Sequence, residues 1–367
     1  MNYNDTMIKI AKRNNNTRRQ YILVNQFQGK HVPIDPKVSL DMMTEFGNKL
    51  YSKYHNVGLI IGFAETATAI GAVVASIYKT NYITTTRETD NIENYISFKE
   101  EHSHAVDQIL ITDNLSDYIN NTDTIMLIDD ELSTGKTMIN ILQKLKEKYP
   151  IIMQKKIVVA SILNRMTDEN LVKMRNLGII CDWLIKIDNI DYDFVINRYR
   201  TIEPIDLISN FAILKYNIIN SKNNIKNVRF GVNGEAYTNM CKKANSRVIN
   251  NLNYIGQNVL VLGTEEYMYS ALLFGKQLEE MKNISVKVHA TTRSPISLSN
   301  NIDYPIKNGY KIHSFYDKNR ETYIYNTGSY DSIIVITDSN ADFGVLNIAI
   351  NDIVNAFNCD RIILVRQ

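Results

Sequence analysis

The sequence predicts an α/β protein of two Rossmann-like parallel-sheet domains. Short apolar runs at 57–61 (VGLII), 125–128 (IMLI) and 258–262 (NVLVL) read as strands buried on both faces. Between them lie stretches with helical spacing, so the chain alternates strand and helix, the pattern of a mainly parallel sheet covered by helices. The order of parts in the first half also recurs, weakly residue by residue, in the second.

Taken in order, residues 1–19 are polar and basic and are expected to form a loose arm. Residues 20–25 (QYILVN) read as a strand, followed by a loop to residue 36 that carries Gly29, Lys30 and His31. A helix is predicted over 39–54, because Leu40, Met43, Phe46 and Leu50 recur at helical spacing. The strand at 57–61 runs into Gly62, Phe63, Ala64, Glu65, Thr66, Ala67 and Thr68, then a small-residue helix to residue 78. A third strand, 82–86, ends at Arg87, and the charged, weakly periodic stretch 88–105 reads as a long mobile loop.

The strand 125–128 and its helix from Met138 follow, then a strand at 156–163, a helix at 168–177 and a strand at 179–187. The Asn-rich segment 216–226 is expected to be a linker, which sets domains at 20–215 and 227–367. In the second half, strands are predicted at 227–232, 258–262, 286–290, 332–337 and 361–365, with helices at 242–252 and 268–281. The parallels are LIIGFAETATAIGAVVA with VLVLGTEEYMYSALLFG, TTTRET with ATTRSP, and IMLIDD with IIVITD. They predict that the second domain is a diverged copy of the first.

Composition narrows the function classes. With 367 residues, each half can bury its own core, and 44% hydrophobic with 22% charged residues is ordinary for a globular chain. A net charge of +2 gives no reason to expect nucleic acid or an anionic membrane as partner. Cys181, Cys241 and Cys359 are far apart and form no CxxC pair, which suits a reducing compartment and neither a disulfide framework nor a zinc site. No apolar run approaches the roughly 18 residues of a membrane span. The first residues lack the apolar core of a signal peptide, so a cytoplasmic location is expected.

The chemistry concentrates after strand 125–128. There Asp129 and Asp130 are followed by Glu131, Leu132, Ser133, Thr134, Gly135, Lys136 and Thr137 at the start of a helix. Successive backbone N–H groups and hydroxyls at a helix N-terminus suit a phosphate. Paired carboxylates repel phosphate but suit a vicinal diol and a divalent cation. Together they describe a ribose 5-phosphate. A nucleoside-triphosphate loop would need glycine where Asp130 stands.

This stretch resembles the phosphoribosyl-diphosphate motif of type I phosphoribosyltransferases: four apolar residues, two acids, a short spacer, then Thr-Gly-x-Thr. The resemblance implies that Asp129 and Asp130 hold the ribose hydroxyls and orient a Mg²⁺ complex through the bound substrate. It implies that Leu132 to Thr137, with Glu131 beside them, cradle the 5-phosphate, and that residues 62–68 take pyrophosphate. The reaction implied is displacement of pyrophosphate from phosphoribosyl diphosphate by a small nitrogenous acceptor.

Arg87 is the candidate cation for the leaving diphosphate. In the charged loop, His102 and His104 are candidates for pyrophosphate contact or proton transfer, against the alternative of a solvated surface pair. A hood over the acceptor is expected from 20–36, including Lys30 and His31, and from 182–193, where Trp183 or Tyr192 would stack on a ring.

The segments RRQYILVNQFQGKHVP, GFAETATAIG, EEHSHA and IDDELSTGKT resemble a narrower group. These are orotate-phosphoribosyltransferase-like enzymes fused to a TRSP domain, found beside tellurium-resistance and stress-response genes. The second half carries Thr292, Arg293, Ser294 and Pro295. Where the first half has two acids and a Thr-Gly loop, it has Thr337 and Asp338 without that loop. The second half is therefore not expected to bind phosphoribosyl diphosphate in the same way: it completes the acceptor site, offers Glu265, Arg293 and Ser294 to a second ligand, or only docks against the first half.

Two alternatives stay open at this level: a regulator that binds phosphoribosyl diphosphate without turnover, and an enzyme like phosphoribosyl-diphosphate synthetase. A homodimer is compatible with the resemblance.

Overall fold

The computed structural model describes residues 3–14, 19–89, 92–99, 108–188, 190, 192–207, 216–221 and 225–367. In chain order the elements begin with β1 (Ile8–Lys12), β2 (Tyr21–Asn25), α1 (Pro36–Lys53), β3 (Val57–Gly62), α2 (Ala67–Tyr78) and β4 (Asn81–Thr84). Next come β5 (Tyr95–Phe98), β6 (Gln108–Ile111), α3 (Leu115–Asn120), β7 (Thr124–Leu132), α4 (Lys136–Lys148), β8 (Lys156–Asn164), α5 (Asp168–Asn176) and β9 (Ile179–Lys186). They continue with α6 (Tyr192–Ile196), β10 (Ile205–Asp206), β11 (Asn217–Asn220), β12 (Val232–Asn233), α7 (Gly234–Asn250), β13 (Asn258–Gly263) and α8 (Tyr269–Lys282). The chain closes with β14 (Ser285–Ala290), β15 (Gly309–His313), β16 (Glu321–Tyr325), β17 (Ser332–Thr337), α9 (Phe343–Phe357) and β18 (Ile362–Arg366).

Two units divide the chain. The first holds Met1–Asp5, Asp41–Ile190 and Lys226–Met240; the second holds Thr6–Leu40, Asp191–Ile225 and Cys241–Gln367. In the first, the sheet order is β12-β4-β3-β7-β8-β9, parallel except at the edge strand β12. Burial on both faces explains the apolar runs: Leu59, Ile60, Ile125, Met126, Leu127 and Ile128 are fully buried. α4 shows its amphipathic origin directly, burying Met138, Ile141, Leu142 and Leu145 at helical spacing.

In the second unit, the sheet order is β11-β18-β17-β13-β14, parallel throughout. Its core joins Leu260, Leu262, Ile333 and Val335 of the sheet to Leu346, Ile350 and Ile353 of α9. Both sheets place their strands in the same succession, β4-β3-β7-β8 matching β14-β13-β17-β18. Each unit also has an antiparallel pair between the corresponding strands, β5 with β6 and β15 with β16.

Several expectations are corrected. The arm is not wholly loose: β1 pairs with β2, and Ala11, Ile22 and Val24 bury against Ile296, Leu298 and Tyr325. Within that strand only Ala11 is buried, on the face opposite Ile8 and Ile10, so the apolar alternation does not mark the core face. The proposed linker contains β11, which adds to the second unit's sheet through β18. Residues 227–232 form a short 3-10 turn (Val228–Phe230) followed by β12, which pairs with β4 of the first unit. The expected loop 88–105 includes β5, whose alternating apolar residues Ile96 and Phe98 are buried and which pairs with β6 beyond the loop. By its contacts, Thr6–Leu40 groups with the second unit.

Candidate active site

In an open parallel sheet, a crevice forms at the carboxyl edge where the strand order reverses. In the first unit that point lies between β3 and β7, since the chain runs from β3 to β4 on one side and from β7 to β8 on the other. The loops after β3 and β7 flank it.

β7 runs through the acids as far as Leu132, with Asp129 opposite Ser161 and Glu131 opposite Leu163 on β8. Asp129, Asp130 and Glu131 are half-buried, whereas Leu132 is buried. Asp129 Oδ1 accepts a hydrogen bond from the Asp130 N–H at 2.9 Å, which fixes one carboxylate against the strand end. Glu131 Oε1 accepts from Arg165 Nε at 2.7 Å. Arg165 also donates its backbone N–H to Leu132 O, so this pair ties the ends of β7 and β8 together.

Past Leu132, Ser133 and Thr134 are half-buried, and Lys136 N donates to Thr134 Oγ1 at 3.3 Å. Gly135 caps α4 with φ +79°, where an added Cβ would stand 2.9 Å from Met174 Sδ. Backbone conformation and space both demand glycine there. Ser133 to Thr137 thus present a tight turn at the N-terminus of a helix, with Lys136 exposed.

The loop after β3 is held from below. Phe63 N donates to Ile128 O at 3.0 Å, and Ala64 N donates to Thr85 Oγ1 at 2.8 Å. Gln108 Nε2 donates to Ala64 O at 2.6 Å, and the Ala64–Glu65 peptide is cis. Phe63 is buried edge-on against Phe98, with ring centroids 5.8 Å apart. Ala64, Ala67 and Thr68 are buried too, so Glu65 and Thr66 are the half-buried side chains of this loop. The glycine at 62 serves packing: its absent Cβ would lie 2.7 Å from Tyr82 Oη, and Tyr82 is fully buried beneath the loop.

Arg87 follows the buried Thr84, Thr85 and Thr86 and is half-buried. Arg229 reaches the same place, donating from Nε to Thr86 Oγ1 at 3.2 Å. Sequence reasoning missed Arg229 because its segment reads as the second domain's first strand. It also missed the ends of β8 and β9. Asn164 is fully buried, accepts from Met166 N at 2.9 Å and from Lys186 Nζ at 3.3 Å, and leaves Nδ2 buried without a hydrogen-bond partner. The Lys186 ammonium lies 5.8 Å from the Trp183 ring, and burial lowers its pKa.

His102 and His104 fall outside the described residues. Lys30 and His31 belong to the second unit, as does Tyr192, which is stacked on Tyr21 at 4.8 Å. Lys30 Nζ donates to Glu265 O at 2.6 Å and Thr291 O at 2.9 Å. The His31 pKa is lowered to about 3, chiefly by burial and then by the neighbouring Lys30.

Glu265 and Arg293 are brought together as an ion pair, which Arg320 joins at 3.2 Å from Glu265 Oε2. Ser294 sits in the adjoining turn, its N–H donating to Thr292 Oγ1 at 3.2 Å. Among the described residues no three His, Cys, Asp or Glu side chains gather as a metal site. No helix there is long and apolar enough to cross a membrane.

A phosphoribosyl transferase family profile matches residues 7–190, half of the 367-residue chain. A second profile, the TRSP domain C-terminal to PRTase_2, matches residues 226–355. The parallel α/β sheet and these matches define an enzyme of phosphoribosyl transfer. The chain belongs to the PRTase_2 phosphoribosyl transferases and carries their TRSP domain.

Among solved structures, similarity extends to an adenine phosphoribosyl transferase from Trypanosoma brucei in complex with AMP, pyrophosphate and ribose-5-phosphate. It is 15% identical, covering 50% of this chain and 77% of that one, with a TM-score of 0.37. The enzyme from Giardia lamblia complexed with 9-deazaadenine is 13% identical over 50% of this chain and 96% of its own, with a TM-score of 0.40. Leishmania donovani UMP synthase is 16% identical over 41% and 28%, with a TM-score of 0.26. None of the curated proteins searched matches the chain.

Proposed function

We propose that the first unit transfers ribose 5-phosphate from phosphoribosyl diphosphate to a nitrogenous base or base-like acceptor, releasing pyrophosphate. The observation that carries this reading is the pairing, at one strand end, of Asp129 and Asp130 with the Ser133–Thr137 turn on the N-terminus of α4. In this reading the turn's N–H groups and hydroxyls hold the 5-phosphate, and the two carboxylates hold the ribose hydroxyls. The loop 62–68 faces the diphosphate, with Glu65 and Thr66 as its half-buried side chains.

Hard carboxylate oxygens at Asp129 and Asp130 fit Mg²⁺, held jointly with the substrate. When bound, the ion neutralises the departing diphosphate. The chain's own contribution is cationic: Arg87, backed by Arg229 at Thr86, stabilises charge that develops as the C1–oxygen bond breaks. The transition state is oxocarbenium-like, so the carboxylates also favour it electrostatically. His102 and His104 are assigned to the diphosphate or to proton transfer.

For the acceptor side we favour β8 and β9, with Asn164, Arg165, Lys186 and Trp183; of these Arg165 is held at the end of β7 by Glu131 and Leu132. Lys30 and His31, expected as a hood, have their described hydrogen bonds within the second unit.

The test is incubation of the protein with Mg²⁺, phosphoribosyl diphosphate and a panel of nucleobases or cell extract, followed by mass spectrometry. A product heavier than its acceptor by one ribose phosphate, with pyrophosphate released, is expected. Tight binding of phosphoribosyl diphosphate with no product from any acceptor would instead identify a regulator.

A further inference from the structure

The second unit contains its own reversal of strand order, between β13 and β17, and the two sides of that crevice differ. On the β17 side the space is closed by hydroxyls. Thr264 Oγ1 and Thr337 Oγ1 are 2.9 Å apart, Tyr316 Oη lies 2.9 Å from Thr264 Oγ1, and it donates to Asp338 Oδ1 at 2.6 Å. The turn beyond Asp338 directs carbonyls inward: Arg366 Nη2 donates to Ser339 O at 3.0 Å and Ala341 O at 3.1 Å. A turn fixed in this way does not offer a phosphate cradle like the one at Ser133–Thr137.

The β13–β14 side is built differently. Glu265 is fully buried, with φ +48°, outside the range most side chains adopt. Its Oε2 takes both Arg293 and Arg320, its Oε1 takes the Ser314 hydroxyl, and its N–H donates to Thr291 Oγ1 at 3.0 Å. Glu266, also buried, lies 3.7 Å from Arg293 Nη2. The carboxylates are therefore inside, at 0% and 4% side-chain exposure, while Arg293 and Arg320 keep 14% and 23% of their side chains on solvent. A ligand approaching from solvent meets guanidinium groups whose planes are set by a buried acid.

Lys30, itself buried, adds a third cation behind the loop. On the same wall, His31 keeps Nε2 buried without a hydrogen-bond partner, its ring 6.5 Å from that of Tyr325, whose hydroxyl donates to Ser294 O at 2.8 Å.

We propose that the second unit is a diverged copy of the first that binds a phosphoryl anion, phosphate or diphosphate, through Arg293 and Arg320. Planar guanidinium forks are suited to phosphoryl oxygens, and orientation by Glu265 lowers the cost of ordering them. The copy has kept the half that corresponds to loop 62–68 and Arg87 and has closed the half that corresponds to the ribose 5-phosphate turn. Arg293 stands where the first unit has Arg87 in the aligned segments. Glu265, whose N–H bonds Thr291 Oγ1 as the Ala64 N–H bonds Thr85 Oγ1, stands at the place of Ala64, with Glu266 at that of Glu65. The choice of diphosphate as a probe rests on the reading of loop 62–68 as a pyrophosphate site.

Equilibrium dialysis of the full chain with radiolabelled pyrophosphate and Mg²⁺, and separately with inorganic phosphate, tests the assignment. Wild type should bind two equivalents of pyrophosphate. The Arg293→Gln/Arg320→Gln double variant should bind one, as should Arg87→Gln. Arg320→Lys, which keeps the charge and loses the fork, should weaken the second site at least tenfold and decides the matter if the double variant does not fold. Two equivalents with unchanged affinity in the Arg320→Lys and folded double variants would overturn the proposal. So would a single wild-type equivalent that disappears in Arg87→Gln. Loss of an equivalent in the double variant with Arg87→Gln unaffected would uphold the second site and remove the first-unit reading instead.

Discussion

Glu131 and Arg165 form a largely buried ion pair of the first unit, with side chains 12% and 9% exposed at 2.7 Å. Removing one member leaves the other charge largely buried, a loss of about 3 kcal/mol in comparable sites. Arg165→Leu should therefore lower the denaturant midpoint of unfolding markedly, and an unchanged midpoint would mean that the pair is solvated in solution. Glu131 follows the two acids in sequence, where it looks like a third ligand-facing carboxylate. Only the pairing of β7 with β8 reveals that it anchors Arg165. Asn164, Arg165 and Lys186 carry no motif, and they become neighbours through strand register, which a one-dimensional reading cannot supply.

The elements around the crevice depend on two glycines. An Ala at Gly62 would stand 2.7 Å from Tyr82 Oη, and Tyr82 is fully buried. Gly62→Ala should destabilise by about 1–3 kcal/mol through overpacking. Combining it with Tyr82→Phe, which removes the clashing oxygen, should recover part of that loss in urea unfolding; no recovery would place the strain elsewhere. At Gly135, φ +79° and the contact with Met174 coincide, so Gly135→Ala should reduce stability by about 1–2 kcal/mol and displace the turn at α4. A parallel loss of affinity for phosphoribosyl diphosphate is expected in direct binding.

These elements mark what was legible beforehand. The buried strands β3, β7, β8 and β13 read correctly because both faces demand apolar side chains, and α4 announces itself by its helical stripe. β1, β5 and β11 were missed because they are short and embedded among charged or Asn-rich residues, so their stability comes from pairing rather than composition. The acids and the Thr-Gly turn were readable because they are local. Arg229 was not, because it reaches Thr86 from 143 positions away.

For the whole molecule, two buried neutral histidines make stability sensitive to acid. Burial is the main reason that the His31 pKa is lowered to about 3 and that of His289 to about 4, from the ordinary 6.5. The unfolded chain binds protons at these sites below pH ~6.5 that the folded chain refuses, each unit of separation being worth about 1.4 kcal/mol. Stability from this source is complete above that pH and declines as pH falls toward about 4, where His289 itself titrates in the folded state. Thermal midpoints should fall between pH 6.5 and 4.5, and His289→Gln should flatten the slope. A slope unchanged by that substitution would assign the acid sensitivity to other groups.

The strand-end carboxylates bear the central claim, and Asp130 is the residue to change. Pyrophosphate release from phosphoribosyl diphosphate, with Mg²⁺ and the acceptor found by mass spectrometry, should be compared between wild type and Asp130→Asn. With the fold intact by circular dichroism, the variant should lose about 100-fold or more in kcat/KM, roughly 3 kcal/mol of transition-state stabilisation. Full activity in Asp130→Asn would contradict the assignment of the ribose-binding carboxylates to the end of β7.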